Sequence, residues 1–312
     1  MNKEKLGQQN IGYLFILCAG TLWGFIGLFV KLMGGVGADS SVTSFIRIFM
    51  GSVILLPVLL LMSKKSGRNM FKLNKAGFVQ CLLLGVFSQA LFNACYSRSI
   101  NSVGVATASV LLYTAPIFVC IMSVIAFREK IGPRKGIALV INFLGCFIMA
   151  TGGDVASLKL SVLGIFFGVA AGFLYGTVTI IGKFAGENNH PITTTFYSFL
   201  FGWITLAIFT NPFGRIASLS SPKFWLIAFL FGLIPTVGSY FFYMNGLSKI
   251  TELSRAPIIA SVEPVIATLI GIFMFHENVG FINIVGLVIV LLSIVLMNTG
   301  KEQHEQKEQT HA

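Results

Sequence analysis

One carboxylate stands in the interior of a long apolar run. Glu263 lies within Arg255 to Phe275, and Pro264 follows it at once. An acidic side chain at the centre of a bilayer costs roughly 2.5 to 3.5 kcal/mol on insertion scales, so it is turned inward and given a partner or a task. The chemistry open to it is exchange of a proton, coordination of a cation or pairing with a solute amine; the plain alternative is a buried carboxylate satisfied by its neighbours. Proline has no N–H, and its ring displaces the carbonyl four residues back, that of Ala260, so charge and helix break coincide. A second charge, Arg47, falls inside another apolar run. Counting about seven residues from one end for Arg47 and about eight from the other for Glu263 gives depths of ~10 and ~12 Å at helical rise. In a core of ~30 Å their levels differ by ~8 Å. Arg47 can therefore pair with Glu263, bind a solute carboxylate, or snorkel to the surface as a structural residue. Trp23, Asn93, Tyr113, Tyr175 and Tyr243 also fall well inside apolar runs, with Tyr240 and Asn245 beside them. Rings with a polar tip suit either core packing or the lining of a solute cavity.

The elements that must position these residues are membrane helices. The chain has 312 residues, 55% of them hydrophobic and 11% charged, with a mean hydropathy of +0.85, against about 25% charged for soluble domains. About 20 apolar residues cross a bilayer. Ten spans follow: 11–33, 40–62, 76–97, 103–127, 134–151, 160–183, 192–210, 223–246, 255–275 and 281–298. Loops between them are too short for a soluble domain. The formal charge of +11 reads as basic residues crowded into cytoplasmic loops and not as a nucleic-acid surface. With the N-terminus inside, loops 63–75 and 128–135 gather Lys64, Lys65, Arg68, Lys72, Lys75, Arg128, Lys130, Arg134 and Lys135. Lys3, Lys5, Lys183, Lys249, Arg255, Lys301 and Lys307 join that side, whereas Lys31, Arg98, Lys159, Arg215 and Lys223 fall outside. Both termini are then cytoplasmic, in the plasma membrane of the cell. Residues 1–10 form a short polar tail with no cleavage site, and 301–312 a second polar, solvated tail. The five cysteines sit in apolar runs without metal or redox spacing, and the four histidines show no ligand pattern. Nucleotide-binding, hydrolase and zinc-hydrolase signatures are absent, which excludes ATP-driven transport and leaves no cofactor, metal or catalytic set to assign.

The chain repeats itself. Gly12/Gly164, Phe15/Phe167, Ala19/Ala171, Gly20/Gly172, Leu22/Leu174, Gly24/Gly176, Lys31/Lys183 and Gly34/Gly186 match at one register, with Trp23 opposite Tyr175. Pro116/Pro264, Glu129/Glu277, Gly132/Gly280 and Thr151-Gly152/Thr299-Gly300 match at another. This sets boundaries of 11–152 and 153–300 for two five-helix units. Five is odd, so the second unit enters from the opposite side; inverted repeats around a midplane site are the architecture of alternating-access carriers. Ala115 stands opposite Glu263, so the fold itself does not demand that charge. Gly164, Gly168, Gly172 and Gly176 form one helix face, echoed by Gly12, Gly20 and Gly24, and read chiefly as tight helix packing. Glu129 and Glu277 read as caps of the turn that follows each.

The pair Leu112-Tyr113-Thr114-Ala115-Pro116 with Phe127-Arg128-Glu129-Lys130-Ile131, and its counterpart Ser261-Val262-Glu263-Pro264-Val265 with Phe275-His276-Glu277-Asn278-Val279, resemble the drug/metabolite transporter superfamily, EamA type. Leu22-Trp23-Gly24 and Arg47-Ile48-Phe49-Met50 support the likeness, which covers about 11–300; Arg98-Ser99, where relatives often carry Ala-Leu, departs from it. The resemblance implies an all-α carrier of ten helices in two inverted units about a central cavity. It further implies a secondary transporter of amino-acid-like or amphipathic metabolites, with export the expected direction and protons a candidate coupling ion. A passive channel is the nearer rival reading and a membrane-embedded enzyme the more distant one. Glu263, Arg47, Trp23, Asn93, Tyr113, Tyr175 and Tyr243 are the candidate binding and coupling residues, and Pro116 and Pro264 the candidate gating breaks. Partners are a small solute and membrane lipid.

Overall fold

A computed structural model describes the backbone of residues 3–154, 156, 158 and 161–310, and within it the side chains of 7–297 apart from 188. Among the described residues there are helices and no strands. The first predicted span is two helices, α1 (Lys3–Trp23) and α2 (Ile26–Gly34), parted at Gly24-Phe25. The second is α3 (Ser40–Ser66), capped by Asp39, whose carboxylate accepts from the N–H groups of Ser41 and Val42. The third and fourth run as α4 (Lys75–Leu83), a π-helical stretch (Leu84–Leu91) and α5 (Phe92–Leu112), then α6 (Ala115–Phe127). The loop expected at 98–102 is helical, and the chain turns at Gly104 (φ 80°, ψ 169°), a conformation only glycine adopts without strain. α7 (Pro133–Thr151) follows, and then α8 (Val162–Asn188) and α9 (Pro191–Thr210). α10 (Phe213–Leu219) is short; α11 (Pro222–Gly232), a second π stretch (Leu233–Gly238) and α12 (Ser239–Lys249) form one long rod. α13 (Arg255–Ala260) and α14 (Val262–Phe275) break at Ser261, and α15 (Phe281–Thr310) ends the chain.

Among the described residues eight helices have the length and hydropathy to cross a membrane; Ala115–Phe127 and Phe281–Met297 are apolar but shorter. The polar tail continues α15 as helix to Thr310 instead of ending irregularly, because Lys, Glu and Gln are good helix formers. Its side chains lie outside the described residues, as do those of Lys3, Lys5 and Lys159.

Helix directions follow from who touches whom. α1 lies antiparallel to α12, with Gly12 against Ile250 and Gly246 against Ile16. α7 lies antiparallel to α15, where Asn142 bonds Ser293 and Asn283 bonds the Met149 carbonyl. α8 runs alongside the α5–α6 break: Gly164 faces Val103, Gly172 faces Leu111 and Leu112, and Gly176 faces Val119. α1 runs alongside the α13–α14 break in the same way, Gly20 facing Ala260 and Gly24 facing Glu263 and Ile266. The glycine stripes are therefore packing surfaces, as expected. α6 and α14 also end alike, Arg128 (φ 53°) and His276 (φ 51°) being left-handed, with Glu129 N–H donating to Ser123 O and Glu277 N–H to Gly271 O.

Ser99 and Arg98 have local reasons. The Ser99 hydroxyl donates to the Gly164 carbonyl at 2.9 Å, and the Arg98 guanidinium lies 5.4 Å from the Phe167 ring centre.

A methyl group on Gly20 would sit 2.6 Å from the Ala260 carbonyl oxygen, whereas one on Gly27 would meet nothing within 4 Å. Backbone cannot rotate aside as a side chain can, and overpacking costs about 1–3 kcal/mol. Gly20→Ala is expected to lower the thermal midpoint in detergent, and Gly27→Ala to leave it unchanged or raise it. Equal midpoints for the two variants would show that the contact does not limit stability.

Candidate functional site

The break between α13 and α14 builds the site. Pro264 sits in the first turn of α14, where a missing N–H costs least, and the chain kinks at Ser261 (φ −66°, ψ 4°). The Ser261 hydroxyl donates to the Pro257 carbonyl at 2.9 Å and to Asn142 Oδ1 at 3.2 Å. Asn142 in turn donates to Ser293 at 3.0 Å. A buried polar chain thus ties the kink to the α7–α15 pair. Pro116 occupies the matching place at the start of α6, and the Thr114 hydroxyl donates to the Leu111 carbonyl at 2.6 Å.

Between these two breaks lies a cavity with about 520 Å³ of free space including its mouth. Trp23, Tyr113, Tyr175, Tyr243, Glu263, Pro116 and Pro264 all line it. Seven of the residues singled out in the sequence therefore meet, drawn from α1, α6, α8, α12 and α14 and the α5–α6 break. The Trp23 ring is the hub, its centre 4.9 Å from that of Tyr243, 5.7 Å from Tyr240 and 6.0 Å from Tyr175. Tyr175 Oη donates to Glu263 Oε2 at 3.3 Å, so the half-buried carboxylate keeps one oxygen directed to an aromatic hydroxyl and the rest of its capacity toward the cavity. Tyr243 Oη and Thr179 Oγ1 share a hydrogen bond of 2.7 Å.

Two expected residues lie elsewhere. Arg47 does not line this cavity; its guanidinium lies 5.9 Å from the Phe231 ring centre, within electrostatic reach of Tyr240, Glu263 and Tyr175. No carboxylate among the described residues lies within ion-pair distance of it, so the Arg47–Glu263 pairing is not made in this conformation. Asn93 donates to the Gln89 carbonyl at 2.6 Å and lines a separate, roomier cavity of about 1210 Å³. Ser40, Ser41, Ser44, Arg98, Asn101 and Thr210 share it, which puts it at the end of the bundle where α3 begins and α9 finishes. Asn245 bonds the Phe241 carbonyl of its own helix and stands apart from both cavities.

The sequence reading missed Thr179, the hydrogen bonds made by Ser261 within its motif, and the Gln89–Tyr240 hydrogen bond of 2.6 Å. Gln89 was legible as an amide inside an apolar run. Thr179 and Ser261 gave no comparable signal, because a hydroxyl inside a membrane helix ordinarily bonds its own backbone.

A multi-pass bundle of apolar helices, broken at mid-length around a polar aromatic cavity, is the build of a membrane transport protein. The model of the EamA-like transporter family matches residues 10–151 and again 162–299, and the chain belongs to that family. An uncharacterized transporter of Archaeoglobus fulgidus is 31% identical over 292 residues, covering 92% of this chain and 96% of that protein. The uncharacterized transporter YwfM of Bacillus subtilis is 24% identical over 311 residues, covering 97% and 99%. A solved crystal structure superposes with a TM-score of 0.75 at 13% identity over 94% of this chain and 98% of that one, a likeness of fold.

Thr179 and Tyr243 are almost wholly buried. Removing one partner of a buried hydrogen bond leaves the other unsatisfied at about 1–3 kcal/mol, while removing both is nearly neutral. Thr179→Val is expected to destabilise by that amount, and Thr179→Val with Tyr243→Phe to recover most of it, in chemical or thermal unfolding. A double variant as unstable as the sum of its singles would contradict the pairing.

Proposed function

We propose that the protein is a secondary carrier that moves small amino-acid-like or amphipathic solutes by alternating access, in the direction of export. The observation that carries this is the convergence of Trp23, Tyr113, Tyr175, Tyr243 and Glu263 on one cavity at the paired helix breaks. The cavity has an aromatic wall for an apolar part and one carboxylate for an amine, a proton or both. Residues 11–152 and 153–300 serve as two inverted five-helix units, ten spans in all, with both termini cytoplasmic and the protein in the plasma membrane. Three kinds of detail support the inversion. The family model matches twice. The helix ends at Arg128 and His276 are alike down to their hydrogen bonds. The Gly20 and Gly172 contacts repeat around Pro264 and Pro116. Passage of a solute from one side to the other requires the broken helices to move. Pro116 and Pro264 are where they give.

Glu263 acts as the coupling group, with Tyr175 orienting it, and Arg47 supplies a cation that a solute carboxylate meets when the cavity widens. The counterflow of amino acids and amphipathic cations in proteoliposomes tests the carrier reading. Saturable exchange accelerated by solute on the far side is expected; flux without saturation or acceleration would make the protein a passive channel. Glu263→Gln is expected to abolish proton-driven accumulation while keeping exchange. An unchanged pH dependence in that variant would remove Glu263 from coupling.

A further inference from the structure

Two carboxylates and two lysines repeat between the halves of the chain, yet they are used differently at the two ends of the bundle. Glu129 and Glu277 occupy equivalent places just beyond α6 and α14; Lys31 and Lys183 occupy equivalent places near the ends of α2 and α8. Neither glutamate caps the helix that follows it, contrary to the sequence expectation. Glu129 reaches across to the second half of the chain. It accepts from the Ser254 N–H at 3.1 Å and from the Ser254 hydroxyl, at the start of α13. Lys135 donates to it at 2.9 Å and pairs with Glu252 at 3.3 Å, and Glu252 pairs with Arg255. This set is largely dry, the Lys135 and Glu129 side chains being 13% and 7% exposed. Lys183 takes no part: its ammonium donates to the carbonyls of Leu247 at 2.9 Å and Ile250 at 2.8 Å, at the end of α12.

At the other end the partners are rearranged. Glu277 pairs with Lys31, whose ammonium also lies 4.0 Å from the centre of the Phe275 ring. That pair is wet, with side chains 50% and 49% exposed. The equivalent of Ser254 in the first half is Ala106, two residues past the Gly104 turn, and Glu277 makes no bond there. This is also the end where the large serine-lined cavity opens. So the glutamate bonds the start of the opposite broken helix at one end of the bundle only, and at the end where it rests on a lysine the larger cavity lies instead.

We propose that Glu129 and Glu277 are alternating latches. Each closes its own face by bonding the start of the opposite broken helix, Ser254 for Glu129 and Ala106 for Glu277. Each is parked, when its face opens, on the lysine of the neighbouring helix, Lys183 for Glu129 and Lys31 for Glu277. The structure holds one latch closed and the other parked; the opposite-facing state exchanges them, and Lys31 then moves to the carbonyls that end the helix before Gly104, as Lys183 does now beyond α12. The energetics suit a switch. A dry, multiply bonded carboxylate holds firmly, since breaking it strands a buried charge. A wet lysine pair contributes little and releases readily. The exchange rests on the inverted-repeat carrier reading, but its test does not need a known solute.

The test uses the full chain in liposomes with its five native cysteines replaced and, as a reporter in the larger cavity, an azide-bearing residue in place of Ser44, which thiol reagents leave untouched. Lys31→Cys with Glu277→Cys, or Lys183→Cys with Glu129→Cys, is bridged by a bifunctional thiol reagent long enough to stand for the two side chains, because a disulfide alone spans too little. The reporter is then labelled with a membrane-impermeant cyclooctyne. Bridging Lys31/Glu277 is expected to leave labelling intact, and bridging Lys183/Glu129 to abolish it. Failure of the Lys31/Glu277 bridge removes the contact on which the latch rests. A Lys183/Glu129 bridge that does not form, or that forms without loss of labelling, overturns the exchange even where solute counterflow persists. Loss of labelling without any solute counterflow keeps the latch and defeats the carrier reading instead.

Discussion

In hydrocarbon a backbone carbonyl without its helical partner has no water to turn to, and this protein creates such carbonyls at its centre. Pro264 releases Ala260, and Pro116 releases Leu112. What covers them is a neighbouring helix with no side chain in the way. Gly20 lets α1 approach Ala260, and Gly172 lets α8 approach Leu111 and Leu112 at distances that a methyl group would contest. Close Cα–H to carbonyl approach offsets part of the lost hydrogen bond. Much else follows from this packing. Because Gly20 and Gly24 must face the break, Trp23 between them is carried to the cavity wall, and the end of α1 runs parallel to the chain across the α13–α14 break.

The sequence disclosed the parts of this arrangement that are written as rare residue types. A proline after a lone carboxylate marked the break, and glycines at four-residue spacing marked the surface that covers it. Aromatic residues with polar tips marked the wall: Tyr113, Tyr175 and Tyr243 all reach the cavity. Less of the detail was legible where one residue serves a neighbour far along the chain. Asn93 looked like its companions but faces the other cavity, since a single helical position turns a side chain by about 100°. The Gly104 turn was hidden because the polar residues around it resembled a loop, while their carbonyls continue the helix to within a few residues of it. Glu129 was misread for a physical reason: capping rules concern local sequence, and its partners Ser254 and Lys135 come from both halves of the chain.

The charge at the centre is where the two halves differ most. Ala115 and Glu263 occupy matching positions after matching breaks, and the surrounding packing, Gly176 on one side and Gly24 on the other, is conserved between the halves. A carboxylate that served only to hold the kink would be needed at both, and the alanine shows that the kink holds without it. Nor does Glu263 find a charged partner: Tyr175 gives it one hydroxyl, and Arg47 stays beyond ion-pair reach beside Phe231. A carboxylate and a guanidinium close enough to sense each other but not paired leave each with unfilled hydrogen-bonding capacity. On the proposed reading, that capacity is what a solute carrying both an amine and a carboxylate would fill. The same group would lose its negative charge whenever a proton took the amine's place, which binds solute exchange and proton movement to one atom pair.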